Sequence, residues 1–279
     1  MQDHKTSLLD SIEKIEREGL IDRETCLMLS DIFGLQNRLA AELTDGVSLP
    51  RLIVESGLPI DSSLLRIDTS ALEILREGFD EFRALVQGRL HGVDFSVIRQ
   101  TMTTHPLYVE KVITHLIEKN TKSLHNMADN AGVDFDDFMF LIINWLKPLF
   151  LALRDKYPPA GQPEHDGGSC PFCGYYPDMG IISSGPAEGR YLRCGLCETL
   201  WLTRNLSCPL CGETKAEKIQ HFAAEEGKYG ADACHSCGGY IKSLETGDSR
   251  PVRDIDLTVE NLLSIRLDGL MQQKGFNRQ

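Results

Sequence analysis

The chain has 279 residues and a mass of 31.2 kDa, with 42% hydrophobic, 25% charged and 7% aromatic residues, ordinary globular values that exclude a disordered, collagen-like or membrane-spanning polypeptide. Its formal charge is -12, from 29 Lys+Arg against 41 Asp+Glu, so the whole molecule repels phosphate backbones, and nucleic-acid binding would need a strongly basic local patch. Of nine cysteines only Cys26 lies in the first half, the others falling between Cys170 and Cys237, so the cysteine content describes a region and not the chain.

Taken in chain order, the N-terminal residues carry no apolar core of about 7 to 15 residues and no small-residue cleavage site, and predict no signal peptide. Leu8, Ile12 and Ile15 instead recur at helical spacing, with Gly19 placed to end that helix. Asp22 can cap a second helix carrying Leu29, Ile32, Phe33 and Leu39. Cys26 falls inside it and reads as a small buried thiol. Leu49 to Thr69 contains Pro50, Gly57 and Pro59 and reads as a connection, while Leu72, Leu75, Phe79 and Phe82 mark a third helical stripe between Ser70 and about Gln87. Further helices are expected from Pro106 to Asn120 and from Phe135 to Leu146, with Pro148 starting a new short one. Asp134, Asp136 and Asp137 form a helix-start cluster that complements the helix dipole, a better account of them than a catalytic carboxylate pair. The most apolar stretch, Phe138 to Leu153, is interrupted by Asn144, Lys147 and Pro148 and reads as buried core, since a spanning helix needs about 20 apolar residues. No membrane insertion is expected. Residues 1–155 thus read as one all-helical domain, followed by a Pro/Gly-rich linker over 156–169.

Beyond the linker the spacing becomes C-x2-C-x20-C-x2-C-x10-C-x2-C-x22-C-x2-C, through Cys170/Cys173, Cys194/Cys197, Cys208/Cys211 and Cys234/Cys237. Two cysteines separated by two residues can turn both sulfurs onto one ion, and two such knuckles close a tetrahedral four-thiolate site, the geometry of zinc and of mononuclear iron. In a cytoplasmic protein, whose thiols stay reduced, eight paired cysteines are metal ligands and not disulfides. Cys170-Pro-Phe-Cys-Gly174 recurs as Cys208-Pro-Leu-Cys-Gly212, and each copy is followed by a further pair, so the region reads as a tandem duplication. Sequential pairing follows: Cys170, Cys173, Cys194 and Cys197 on one ion, Cys208, Cys211, Cys234 and Cys237 on a second. Joining the middle pairs across the x10 spacer is the alternative.

Strands are expected at 180–183, 190–193 and 199–203 in the first unit and at 218–222 and 240–244 in the second. Glycine follows three of the pairs, at Gly174, Gly212 and Gly238, where a positive φ lets backbone N–H groups turn toward thiolates. Glu198 stands in that place after the second pair, so that knuckle is expected to be built differently. Neither unit has the large apolar side chains to offset its chain entropy, whereas a structural thiolate site supplies about 10 to 16 kcal/mol of folding free energy. Metal removal is therefore expected to unfold the region.

No catalytic residues are expected. All four donors of each site are protein sulfurs, which leaves no open position for water or substrate, and the Walker, nucleophile-elbow and dinucleotide-binding motifs are absent from the sequence. The thioredoxin reading of C-x-x-C lacks its βαβ context. His235 and His221 read as non-ligating, and His91, His105, His115 and His125 sit singly on helical segments. Acidic residues outnumber basic ones between Cys170 and Tyr240, the opposite of ribbons that grip nucleic acid.

The segment Arg190-Tyr-Leu-Arg-Cys-Gly-Leu-Cys-Glu-Thr-Leu-Trp201, preceded by Cys170-Pro-Phe-Cys-Gly174 and followed by Cys234-His-Ser-Cys-Gly-Gly-Tyr-Ile-Lys242, resembles the formate dehydrogenase accessory protein family FdhE from about Cys170 to Phe276. Glu198 matches that family's pattern. The resemblance implies a multidomain α plus small β architecture: an N-terminal all-helical domain, two tandem rubredoxin-like or zinc-ribbon metal knuckle units at 170–205 and 206–248, and a closing C-terminal helix at 255–276. It further implies a cytoplasmic assembly and maturation factor, not an enzyme, that binds the catalytic subunit of formate dehydrogenase and supports its cofactor assembly or readiness for export, holding two mononuclear metal ions, iron or zinc. Arg190, Tyr191, Arg193, Glu198, Thr199 and Trp201 are the candidate partner-binding residues. A redox or sulfur relay through iron-loaded knuckles and a zinc-ribbon nucleic-acid binder are the alternative functions.

Overall fold

The computed structural model describes residues 15–17, 19, 21–49, 59–61, 65–87, 94–159, 163–184, 188–204, 206–224, 227–247 and 251–278. The expected stripe residues Leu8 and Ile12 lie outside them, as do Pro50, Gly57 and His91. The chain divides into two compact units. One gathers Leu27–Pro158 with Phe172–Tyr175, and the other gathers Pro159–Pro171 and Tyr176–Gln279 with the described residues up to Cys26.

Helix α1 (Arg23–Leu43) opens behind Asp22, whose carboxylate accepts the Thr25 N–H at 2.9 Å. Cys26 on its first turn is buried with Ile15, against Ile21, Leu262 and Leu263, and burial pushes its thiol up, as an inert core residue requires. The strands β1 (Val47–Ser48) and β2 (Arg66–Ile67) form a short antiparallel ladder. Asp68 then caps α2 (Thr69–Val86), which turns Leu75, Phe79 and Phe82 inward. There follow α3 (Ser96–Thr104), α4 (Tyr108–Ile117), α5 (Thr121–Ala131) and α6 (Phe135–Lys156). Asp134 caps α6, and Asp136 and Asp137 occupy its first turn, as the dipole argument predicts. Trp145 ties α6 to α2: its ring meets Phe79 edge-on at 5.3 Å, and its Nε1 donates to the Leu75 carbonyl at 2.7 Å.

Pro148 does not start a new helix; it sits inside α6. Proline removes the N–H that the Asn144 carbonyl would accept, an interruption that normally kinks or ends a helix. Here Gln36 of α1 supplies the missing donor, its Nε2 lying 3.0 Å from the Asn144 carbonyl and 3.1 Å from the Asn144 Oδ1. A side chain 108 residues away thus satisfies the orphaned acceptor, which no local sequence rule could reveal. Among the described residues no helix is long and apolar enough to cross a membrane.

The second unit is organised by one six-stranded sheet of β3 (Pro177–Ser183), β4 (Gly189–Cys194), β5 (Leu200–Thr203), β6 (Ile219–Ala223), β7 (Tyr229–Cys234) and β8 (Tyr240–Thr246), in the order β5-β4-β3-β8-β7-β6. Each ribbon is an antiparallel meander, and the two fuse where β3 pairs with β8 in parallel, Met179 opposite Lys242 and Ser183 opposite Thr246. Strand β7 escapes the sequence patterning because Tyr-Gly-Ala-Asp-Ala has little β propensity. Its Ala231 and Ala233 are small because Met271 and Phe276 pack onto that face. The outer edge of β5 is closed by the linker: the Leu202 N–H donates to the Pro163 carbonyl, and the His165 N–H to that of Leu202.

The C-terminal segment covers one face of the sheet, with Val252, Ile255 and Leu257 packed on Met179, Ile181, Tyr191 and Leu244. The single closing helix expected from sequence is two, α7 (Leu257–Leu263) and α8 (Ile265–Gln273), because the Ser264 hydroxyl donates to the Glu260 and Asn261 carbonyls and competes with helix continuation.

Beneath α8 lies a buried polar network. Lys242 of β8 has no exposed surface, and its Nζ donates to the Asn261 carbonyl at 2.8 Å and to Asp268 at 2.7 Å. Asp268 also accepts from the Tyr240 hydroxyl at 2.6 Å and from Arg278 at 3.0 Å. Burial first, and the Arg278 charge second, hold the Lys242 ammonium down to about 7 from its ordinary 10.5. Between those values the unfolded chain binds more protons than the native one, so this lysine's contribution to stability rises with pH from about 7 to about 10.5. Urea unfolding across that range should therefore show the natural chain gaining stability relative to Lys242→Met as pH rises. A difference that stays flat would place the titration elsewhere.

Candidate metal centre

The knuckles that carry the sulfurs are built from one repeated set of backbone bonds. In three of them the N–H of the first cysteine donates to the carbonyl five residues on, and the N–H four residues on donates back to the first cysteine's carbonyl. These are Cys194 with Thr199 and Glu198, Cys208 with Glu213 and Gly212, and Cys234 with Gly239 and Gly238, at 2.8–3.1 Å. The closing residue needs positive φ, found at Gly174 (76°), Gly212 (77°) and Gly238 (70°). Glu198 takes the same conformation at φ 59°. The second knuckle is therefore built like the others, contrary to the sequence expectation, with an L-residue held in the left-handed region by the surrounding bonds. At Gly212 an added Cβ meets nothing within 4 Å, so Gly212→Ala isolates the conformational cost. That variant should lower the stability of the second ribbon by about 1 kcal/mol, read by urea unfolding of the metal-loaded chain.

These knuckles bring the sulfurs together in chain order. Cys170, Cys173, Cys194 and Cys197 form one group and Cys208, Cys211, Cys234 and Cys237 the other, each with all four Sγ atoms within 4.8 Å of one another. The crossed pairing of the middle knuckles is thereby excluded. A tetrahedron with metal–sulfur bonds of about 2.3 Å separates its sulfurs by about 3.8 Å. Cys208 and Cys237 lie 3.9 Å apart, Cys211 and Cys234 3.8 Å, and Cys170 and Cys197 3.5 Å. At the first centre the N–H groups of Leu196 and Cys197 point at the Cys194 sulfur at 3.4 and 3.5 Å, and Thr199 Oγ1 lies 3.1 Å from the Cys197 sulfur. At the second, burial and neighbouring sulfurs push the Cys208 thiol up and that of Cys237 to about 11. A coordinating cation deprotonates such thiols outright. The donor set thus fits zinc or iron in four-sulfur coordination.

Among the described residues no histidine joins either group. His235 meets the Phe276 ring edge-on at 5.1 Å, and its Nε2 lies 3.2 Å from Gln220. The His221 Nδ1 lies 2.8 Å from Asp232, whose other oxygen accepts from Arg190 at 3.1 Å. His125 stacks on Phe135, and His105 contacts Thr104.

The candidate partner motif has largely internal contacts. Tyr191, Arg193, Thr199 and Trp201 are buried, while Arg190 and Glu198 are half-buried. Tyr191 packs on the face under Val252 and Leu257, and Leu192 pairs across the ladder with Trp201. Arg193 forks onto Asp178 at 3.0 and 2.5 Å and reaches the Thr258 hydroxyl at 2.7 Å. Thus most of the motif scaffolds the sheet. Nothing in the sequence spacing of Asp178 and Thr258 links them to Arg193.

Two tetracysteine ribbons fused through one parallel strand pair, in a chain that also holds a helical unit, define a twin-knuckle metal-site protein. Residues 169–205 match the family model described as FdhE, central domain. A protein FdhE homolog of Aquifex aeolicus is 28% identical over 258 residues, 89% of this chain and 83% of that one. The homolog of Cronobacter sakazakii is 34% identical over 181 residues, 60% of this chain, and protein FdhE of Escherichia coli O127:H6 is 29% identical over 178 residues. In both, the match spans 56% of the relative. The crystal structure of the FdhE protein from Pseudomonas aeruginosa superposes with a TM-score of 0.59 over 99% of this chain and 91% of that one, at 18% identity, and shares the fold. The chain is thus similar to FdhE proteins, in sequence along most of its length and most specifically over the central domain.

Proposed function

We propose that this chain is a cytoplasmic assembly factor for formate dehydrogenase, one that engages the catalytic subunit during cofactor maturation or before export and uses two tetrathiolate-bound metal ions to hold its form. The observation that carries this reading is the pair of four-sulfur groups within a sheet whose first ribbon matches the FdhE central domain. Each group offers four protein sulfurs to one ion, and a site so filled keeps no coordination position for a substrate, which favours a binding role over catalysis. Cys170, Cys173, Cys194 and Cys197 would hold the first ion and Cys208, Cys211, Cys234 and Cys237 the second. Such ions supply folding free energy to ribbons poor in large apolar side chains.

The test is affinity isolation of the tagged full chain from cells grown on formate without oxygen, with metal analysis of the same sample. Recovery of the formate dehydrogenase catalytic subunit with close to two thiolate-bound ions per chain is the expected result. Isolation without any formate dehydrogenase subunit would overturn the client, and a metal-free folded chain would overturn the role of the sulfurs.

A further inference from the structure

The two centres share a plan but not an environment. All four sulfur-bearing residues of the first are 0% exposed, whereas in the second Cys208 and Cys234 are buried, Cys237 is half-buried and Cys211 is exposed. The contrast is sharpest between the duplicated knuckles. In the first copy the Phe172 carbonyl accepts the Ile60 N–H at 2.7 Å, and a Cβ on Gly174 would lie 3.8 Å from Pro59 and 3.9 Å from the Ile117 carbonyl. In the second copy Gly212 has open space around it, and Leu206, just before the knuckle, is 80% exposed.

We propose that the first centre is a permanent structural site and the second an exchange site, from which a thiophilic divalent ion passes to or from a competing soft ligand that approaches at Cys211. The inference rests on the reading that both sulfur groups hold metal. A competitor must reach a metal–sulfur bond before it can replace one. At the first centre no sulfur is exposed, so exchange waits on local opening of the knuckle. At the second, Cys211 is reached in the native fold.

The second ribbon is also braced to survive the exchange. The Glu213 carboxylate of one knuckle accepts the Ser236 hydroxyl of the other at 2.6 Å and the N–H groups of Thr214 and Lys215 at 3.0 Å. The Asn277 N–H donates to the Gly238 carbonyl at 2.9 Å, and β8 stays paired with β3. These contacts do not involve the ion, so the second ribbon, though less stable without it, is expected to hold its knuckles together long enough to be refilled, unlike the first.

The experiment uses the full chain loaded with zinc, the chromogenic chelator 4-(2-pyridylazo)resorcinol as competitor, and iodoacetamide with peptide mass spectrometry to find which sulfurs become free. Two phases are expected, the first at least roughly tenfold faster than the second. In the fast phase Cys211 and Cys237 should be alkylated while Cys170, Cys173, Cys194 and Cys197 stay protected. Cys211→Ser should abolish the fast phase and leave the slow one unchanged. Release of both ions at one rate, or earlier labelling of the Cys170 group, would overturn the proposal while leaving the metal-bearing reading intact. A chain that takes up no zinc would overturn that reading, and the proposal with it.

Discussion

Replacing Cys194 by serine is expected to release the first ion and to loosen both ribbons, while the helical unit stays folded. A structural four-thiolate site contributes about 10 to 16 kcal/mol, comparable with the whole stability of an ordinary domain at about 5 to 15 kcal/mol, so losing one ligand removes much of what orders the first ribbon. The emptied centre is fully buried, and its remaining sulfurs can be neither rehydrated nor shielded by the ion. Strands β3 and β4 begin and end beside that centre, and β3 occupies the middle of the sheet against β8. Met179, Ile181 and Tyr191 share one cluster with Leu244 of the second ribbon and Val252, Ile255 and Leu257 beyond it, so disorder in β3 opens the edge of β8 and uncovers the C-terminal segment. The helical unit keeps its own core around Phe79, Phe82, Trp145 and Leu149. Limited proteolysis of the variant should therefore cut throughout residues 163–278, with most of the far-UV helical signal retained. If the second ribbon stayed protease-resistant, the ribbons would be independent despite their common sheet.

That coupling marks the limit of what the sequence discloses. Spacing identifies the eight sulfurs, because two residues between cysteines fit one metal, and the repeated Cys-Pro-x-Cys-Gly motif favours sequential grouping, but only the fold decides against the crossed pairing of the middle knuckles. Helical periodicity and caps locate α2 and the start of α6 for similarly local reasons. The parallel joining of β3 to β8 is a long-range pairing with no turn to announce it. Strand β7 hides because its residues are small for the sake of Met271 and Phe276. The continuation of α6 through Pro148 depends on Gln36, and the exposure of Cys211 beside fully covered Cys173 depends on what surrounds each knuckle, since the local sequences are nearly the same. Glu198 shows the converse: glycine is the easy solution for positive φ, but a framework of backbone bonds can impose that conformation on another residue.

Arg193→Met is expected to destabilise the sheet unit by about 3 kcal/mol or more, the cost of removing one partner from a buried charge pair. The guanidinium is matched to the Asp178 carboxylate through two nitrogens and to the Thr258 hydroxyl through a third, so it joins β3, β4 and the first turn of α7 at one point. The methionine fills much of the volume but leaves Asp178, itself only 23% exposed, without its counter-charge. Asp178→Asn strands the opposite member of the pair. The double variant removes the uncompensated charge and should recover part of the loss, so a double-mutant cycle read by urea unfolding should return a coupling of at least about 1 kcal/mol. This cycle also separates the two roles open to the Arg190-to-Trp201 motif. If Arg193 were a client contact, Arg193→Met would weaken binding to the formate dehydrogenase subunit at unchanged stability, and the coupling with Asp178 would vanish. With the geometry observed, stability and coupling should both change, and any loss of client binding should be restored in the double variant to the extent that the sheet is restored.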